Sequence, residues 1–208
     1  MTKSRTQSLG EEIGNAITHG VGGLFGIAAT VMMLLKSDTT IEYVASSIFG
    51  VCMIILYTMS CLYHAFKHDT KVKQLFRIFD HLSIFLLIGG TYAPVLLIGF
   101  LDPIGISIFA FQWIMIAIGV CVKLFIKPKR AILHTIICVL IGWSGLVITP
   151  QIYQMSVPLF WFILAGGLAY TIGITFFASR FKYSHFVWHF FVLFGTILHF
   201  VGIYLYLL

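Results

Sequence analysis

The run IEYVASSIFGVCMIILYTMSCLYHAF, residues 41–66, is followed at once by KHDTKVKQLF, residues 67–76. The first stretch carries one formal charge, Glu42, while the second carries three lysines and an aspartate. An α-helix rises about 1.5 Å per residue and needs about 20 apolar residues to cross a hydrocarbon layer of about 30 Å. The first stretch therefore reads as a transmembrane helix and the second as the loop that returns the chain. The same alternation recurs from end to end. It predicts an all-α bundle of seven spanning helices, over residues 15–35, 41–66, 77–100, 104–126, 131–149, 157–179 and 184–207.

Composition agrees. Of 208 residues 60% are hydrophobic and 10% charged, and the mean hydropathy is +1.01, which makes lipid the solvent for most of the surface. Seven spans and short loops use up residues 1–208 as a single domain, with a short polar segment at 1–14 and no room for a soluble catalytic module. The net charge of +6 does not point to nucleic acid, because the basic residues lie in short clusters between apolar runs and not along one helix face. The polar start lacks the pattern of a cleaved signal peptide, so the first helix is expected to stay in the mature protein. Cys52, Cys61, Cys121 and Cys138 all fall in apolar stretches without a CxxC pair and read as reduced, small hydrophobes.

Punctuation and charge set the topology. Ser37-Asp38-Thr39-Thr40, Asp102-Pro103, Lys127-Pro128 and Thr149-Pro150 separate the apolar runs, as turn and helix-start residues should. Gly22 and Gly26, and the pairs Gly89-Gly90 and Gly166-Gly167, offer close helix approach. Short cytoplasmic loops carry Lys and Arg. With seven spans, Lys3, Arg5, Lys67, Lys71, Lys73, Arg77, Lys123, Lys127, Lys129, Arg130, Arg180 and Lys182 share the amino-terminal side, and Lys36 stands alone on the other. The amino terminus is thus expected in the cytoplasm and the carboxyl terminus outside.

Ionisable groups inside a span are costly and need a partner or a purpose. His64 ends the second helix, Asp80 lies near the start of the third, and His185 and His189 open the seventh; the topology puts all four near the amino-terminal side. His185 and His189 are spaced i, i+4, so their imidazoles share one face. Alone, the pair reads equally as two hydrogen bonders to neighbouring helices. With His64 added, three neutral imidazoles and an open fourth position form the arrangement that zinc takes in catalytic sites; Cys61 is the one thiol near enough to intrude. Asp80 would then steer or deprotonate the water of the site, the alternative being an i, i+3 ion pair with Arg77. Ser60, one turn from His64 on the same face, would donate to a developing oxyanion or bond back to its own helix. His19 reads as a supporting or an interfacial residue and His81 as an interhelical hydrogen bonder. His199 is about 15 Å beyond His189 and too far to share an ion; His68 and His134 read as interfacial.

Four stretches, EEIGNAITHG (residues 11–20), SCLYH (60–64), FRIFDHLSIFLLIGGTYAP (76–94) and SHFVWHFFVLFGTILHF (184–200), together resemble the bacterial hemolysin III proteins, a branch of the progestin and adipoQ receptor superfamily. The resemblance spans nearly the whole chain. It implies a seven-helix fold with a cytoplasmic amino terminus in a bacterial inner or plasma membrane. It also implies a zinc ion held by His64, His185 and His189, with Ser60 and Asp80 beside it. Eukaryotic relatives are similar to alkaline ceramidases, which implies hydrolysis of lipid amide bonds. The expected function is a zinc-dependent hydrolase of a lipid-like amide or ester, with Asp80 and Ser60 catalytic and membrane lipid as the partner. Two rivals stand beside it. One is a non-enzymatic sensor or regulator of membrane lipid state with structural zinc. The other is the pore-forming haemolysin that the family name implies, against which the short loops and uniformly apolar helices speak.

Overall fold

The computed structural model describes residues 6–125 and 131–208. Lys3, Arg5, Ile126, Lys127, Pro128, Lys129 and Arg130, used above for topology, lie outside the described residues. Among those described there is no strand. The helices are α1 (Leu9–Lys36), α2 (Thr40–Ala65), α3 (Lys71–Gly99), α4 (Pro103–Phe125), α5 (Ala131–Trp143), α6 (Thr149–Met155), α7 (Val157–Ala178) and α8 (Ser184–Tyr206), with a 3₁₀ turn at Ser144–Ile148. Seven segments are long and apolar enough to cross a membrane, the fifth being the broken rod Leu133–Met155.

Three boundaries differ from the hydropathy reading, each for a local reason. α1 starts six residues early because Ser8 and Glu11 form a capping box: the Glu11 carboxylate accepts from the Ser8 N–H at 2.9 Å and Ser8 Oγ accepts from the Glu11 N–H at 3.4 Å, satisfying orphan donors of the first turn. α3 starts six residues early because Thr70 Oγ1 accepts from the Lys73 N–H at 3.2 Å. Both first turns are polar, so an apolar window overlooks them. The fifth span ends its α-helix at Trp143, tightens into 3₁₀ geometry and restarts at Thr149. There Pro150 occupies the first turn, the one place where its missing N–H costs nothing.

Small residues set the helix approach. A Cβ on Gly22 would stand 2.5 Å from the Tyr57 ring, and one on Gly26 would stand 3.4 Å from Met53 and Ile54, so this GxxxG pair is the α1–α2 seam. Met33, Phe49, Met53, Leu56 and Tyr57 fill the core beside it. Polar staples cross the interior: Thr196 of α8 accepts from the Tyr57 hydroxyl of α2 at 2.7 Å and bonds the Tyr170 hydroxyl of α7 at 2.8 Å. The outer faces expose residues such as Leu24, Val31, Val51, Ile114, Leu140 and Ile172, as a surface solvated by acyl chains requires. The four cysteines are free; Cys52 is buried as expected, whereas Cys121 is exposed on that apolar surface.

Gly22→Val must displace the Tyr57 ring. Overpacking of this kind costs about 1–3 kcal/mol, so a lower unfolding temperature in detergent is expected. An unchanged melting curve would show that the seam is not where the bundle is held.

Candidate metal centre

α2 ends at Ala65, which leaves His64 in its last turn, and α8 begins at Ser184, which leaves His185 and His189 in its first two turns. Two acidic neighbours at the start of α1 bring these ends together. Glu11 Oε1 accepts from the Tyr183 N–H at 2.7 Å, and Tyr183 holds a left-handed backbone, φ 65°, just before α8. A carboxylate at that point also complements the positive end of the helix dipole. Glu12 binds His64 Nδ1 at 2.7 Å, His68 Nε2 at 2.9 Å and Lys73 Nζ at 3.0 Å. Lys73 in turn donates to the carbonyls of Tyr63 and Phe66 at 3.0 and 3.1 Å, closing the C-terminus of α2.

The three imidazoles predicted from sequence do meet. One nitrogen from each of His64, His185 and His189 lies within 4.8 Å of the others, and Cys61 is not among them. Nε2 of His185 and Nε2 of His189 are 3.2 Å apart, close to the separation of about 3.3 Å that two ligands at about 2.05 Å subtend on a tetrahedral ion. Partners fix two of the tautomers. A carboxylate and a carbonyl only accept, so Nδ1 of His64 carries its proton toward Glu12, and Nδ1 of His189 carries its proton toward the Asn15 carbonyl at 3.3 Å. In the neutral rings that metal binding requires, both Nε2 atoms are then left as lone pairs. His64 Nε2 is buried with no hydrogen-bond partner, which a core histidine avoids and a ligand requires. The donor set thus fits zinc, and its outer contacts are those that orient metal-binding histidines.

Ser60, Asp80, His185 and His189 all line one cavity of about 580 Å³, which runs from Gln7, Gln74 and Arg77 at the amino-terminal end of the bundle to Trp143 and Tyr170. Ser60 does not bond back to its helix; its hydroxyl is buried and faces the Asp80 carboxylate. Among the described residues no ion pair joins Arg77 to Asp80; His81 Nδ1 lies 3.7 Å from the Asp80 carboxylate.

The other histidines divide differently from expectation. His19 stacks on His189 with ring centres 3.5 Å apart. The His81 ring bonds the Arg77 carbonyl of its own helix at 2.6 Å rather than a neighbouring helix. His134 is buried and donates to the His81 carbonyl at 3.1 Å. His199 bonds the Ile163 carbonyl at 3.1 Å, away from the centre.

Sequence reasoning gave no role to Glu12, Asn15 or Lys73 at this site. A signal for the first two existed: Glu12, Asn15 and His19 recur at i, i+3, i+7 and so share one face of α1, an unusual polar stripe at the head of an apolar helix. Loss of an outer-shell partner typically costs 10–100-fold in metal affinity. Glu12→Ala is therefore expected to weaken zinc binding by about that factor, measured by competition with a chelator. Wild-type affinity would remove Glu12 from the centre.

The family model described as haemolysin-III related matches residues 7–200. The chain is 36% identical to hemolysin-3 of Bacillus cereus, over 98% of this chain and 94% of that protein. It is 34% identical to the hemolysin-3 homolog of Bacillus subtilis strain 168, over 89% of each. It is 26% identical to the human monocyte to macrophage differentiation factor, over 95% of this chain and 84% of the relative. A match over residues 7–200 and 36% identity along nearly the whole chain make this multi-pass membrane protein a member of the haemolysin-III-related family, with relatives of the progestin and adipoQ receptor type.

Proposed function

We propose that the chain is a zinc-dependent membrane hydrolase that cleaves an amide or ester bond of a lipid, in a cavity opening toward the cytoplasm. The observation that carries this reading is the meeting of His64, His185 and His189 beside a cavity that His185, His189, the buried Ser60 hydroxyl and the Asp80 carboxylate line together. His64, His185 and His189 hold the metal through their lone-pair nitrogens. When bound, zinc supplies a Lewis acid and lowers the pKa of water from about 15.7 toward about 7. Asp80 orients the attacking water, takes its proton and returns it to the leaving amine or alcohol. The Ser60 hydroxyl, not tied to its own helix, turns from Asp80 to donate to the oxyanion that develops on the carbonyl. The apolar inner wall, with Ile88, Val139, Trp143 and Val192, accommodates the acyl part of the lipid. The basic residues gathered on the amino-terminal side support a cytoplasmic mouth.

Purified protein is expected to hold one zinc per chain, and His189→Ala to lose it. Asp80→Asn is expected to keep the zinc while losing about 10²–10⁴-fold in hydrolysis of fluorogenic N-acyl and O-acyl lipids; Ser60→Ala should lose about 10²-fold. Zinc without turnover of any acyl lipid, with cellular lipids unchanged by Asp80→Asn, would replace the hydrolase with the regulator. Dye release from liposomes at low protein copy number would replace it with the pore former.

A further inference from the structure

Gly142 is a glycine that neither backbone conformation nor packing explains. A Cβ built there meets nothing within 4 Å, unlike every other described glycine. No described glycine has a positive φ, and Gly142 sits inside α5, where glycine is a poorer helix former than alanine. The space in front of it is internal. Gly142 lines the cavity of the candidate centre and also a second, smaller chamber of about 80 Å³; Ile88, Trp143, Gly167 and Tyr170 are common to both. From α7, a Cβ on Gly167 would meet only Trp143, at 3.7 Å, an ordinary contact. Two glycines on different helices therefore stand where the two cavities adjoin, and neither is needed there for close packing.

The second chamber continues past Thr91, Ile152, Phe160 and Ile163, away from the ends of α2 and α8 that carry the imidazoles. Most of its polar side chains are spent on partners within the bundle: Trp143 donates to Thr171 and the Tyr170 hydroxyl bonds Thr196. Thr91 Oγ1 donates to the Leu87 carbonyl at 2.8 Å, the Tyr92 hydroxyl donates to the Gly142 carbonyl, and His199 Nε2 donates to the Ile163 carbonyl. His199 Nδ1 is the one buried side-chain atom there without a partner. Between His189 and His199 α8 rises about 15 Å, so the far end of the second chamber lies about an extended chain's length from the imidazoles. Its far end holds a few methylenes and has no room for a fused ring system.

We propose that the second chamber binds the distal end of a lipid acyl chain, and that Gly142 and Gly167 set the chain length admitted. This rests on the hydrolase reading for where the lipid head sits. The ligand is a linear alkyl chain, because the passage is small and the groups lining it offer almost nothing for a polar ligand to bond.

The test uses purified full-length protein, saturated fatty acids from octanoate to stearate, and a palmitate carrying a terminal diazirine. Gly142→Leu and Gly167→Leu are each expected to weaken palmitate and stearate by about tenfold or more, as excluding some two methylenes would do, and to leave octanoate within about twofold. Gly142→Ala is expected to melt no lower than wild type, showing that the position has no packing demand. The photolabel is expected on peptides containing Ile152 or Ile163 in wild type and to leave them in Gly142→Leu. Equal losses at every chain length, unchanged palmitate binding, or label confined to the lipid-facing surface would overturn the proposal. Two outcomes separate the readings: a chain-length effect in wild-type protein found to be without zinc or turnover defeats only the hydrolase, and active enzyme indifferent to Gly142→Leu defeats only the acyl chamber.

Discussion

A carboxylate inside a membrane bundle must be answered, and Glu12 is answered by three cations or donors from the far side of a helix boundary: His64, His68 and Lys73, all within 3.0 Å. Its side chain is only 7% exposed, so removing one partner of such a buried set costs on the order of 3–5 kcal/mol. That constraint locks α1 to the last turn of α2 and the first turn of α3. It also decides which nitrogen of His64 faces inward, since the carboxylate claims the Nδ1 proton. Lys73 serves both ends of the arrangement, neutralising Glu12 and capping the carbonyls of Tyr63 and Phe66.

Glu11, next in the chain, works on the opposite neighbour. Consecutive residues on a helix point about 100° apart, so one acidic pair reaches two different helices. Glu12 turns toward α2 and α3, while Glu11 holds the Tyr183 N–H and with it the start of α8. The histidines of α8 are thereby presented at the same end as His64. The first turn and a half of α1, polar and outside any hydropathy window, organises the centre although it contributes no ligand.

The bundle also separates its tasks along its length. Polar and ionisable groups gather where the helix ends converge, while the middle is held by glycine seams and the Tyr57–Thr196–Tyr170 staple. The fifth span is the exception. Its α-helix breaks into 3₁₀ geometry after Trp143, it packs sparsely against its neighbours, and its inner face borders open space. The proposed acyl-chain binding needs one wall that is not closed by packing, and α5 is the helix that offers it.

Much was legible from sequence alone because it is local. Apolar transfer free energy sums residue by residue over a span, so the number and order of the helices follow from composition. The i, i+4 spacing of His185 and His189 follows from helix geometry, and their convergence with His64 from counting spans. Helix starts at Ser8 and Thr70 were written in capping residues that hydropathy does not weigh. What only the tertiary structure decided are relations between residues far apart in the chain: the Glu12 contact with His64, the stacking of His19 on His189, the release of Ser60 from its own helix, and the void before Gly142. Each depends on ångström-scale distances between side chains of different helices, and no periodicity along the chain encodes such distances.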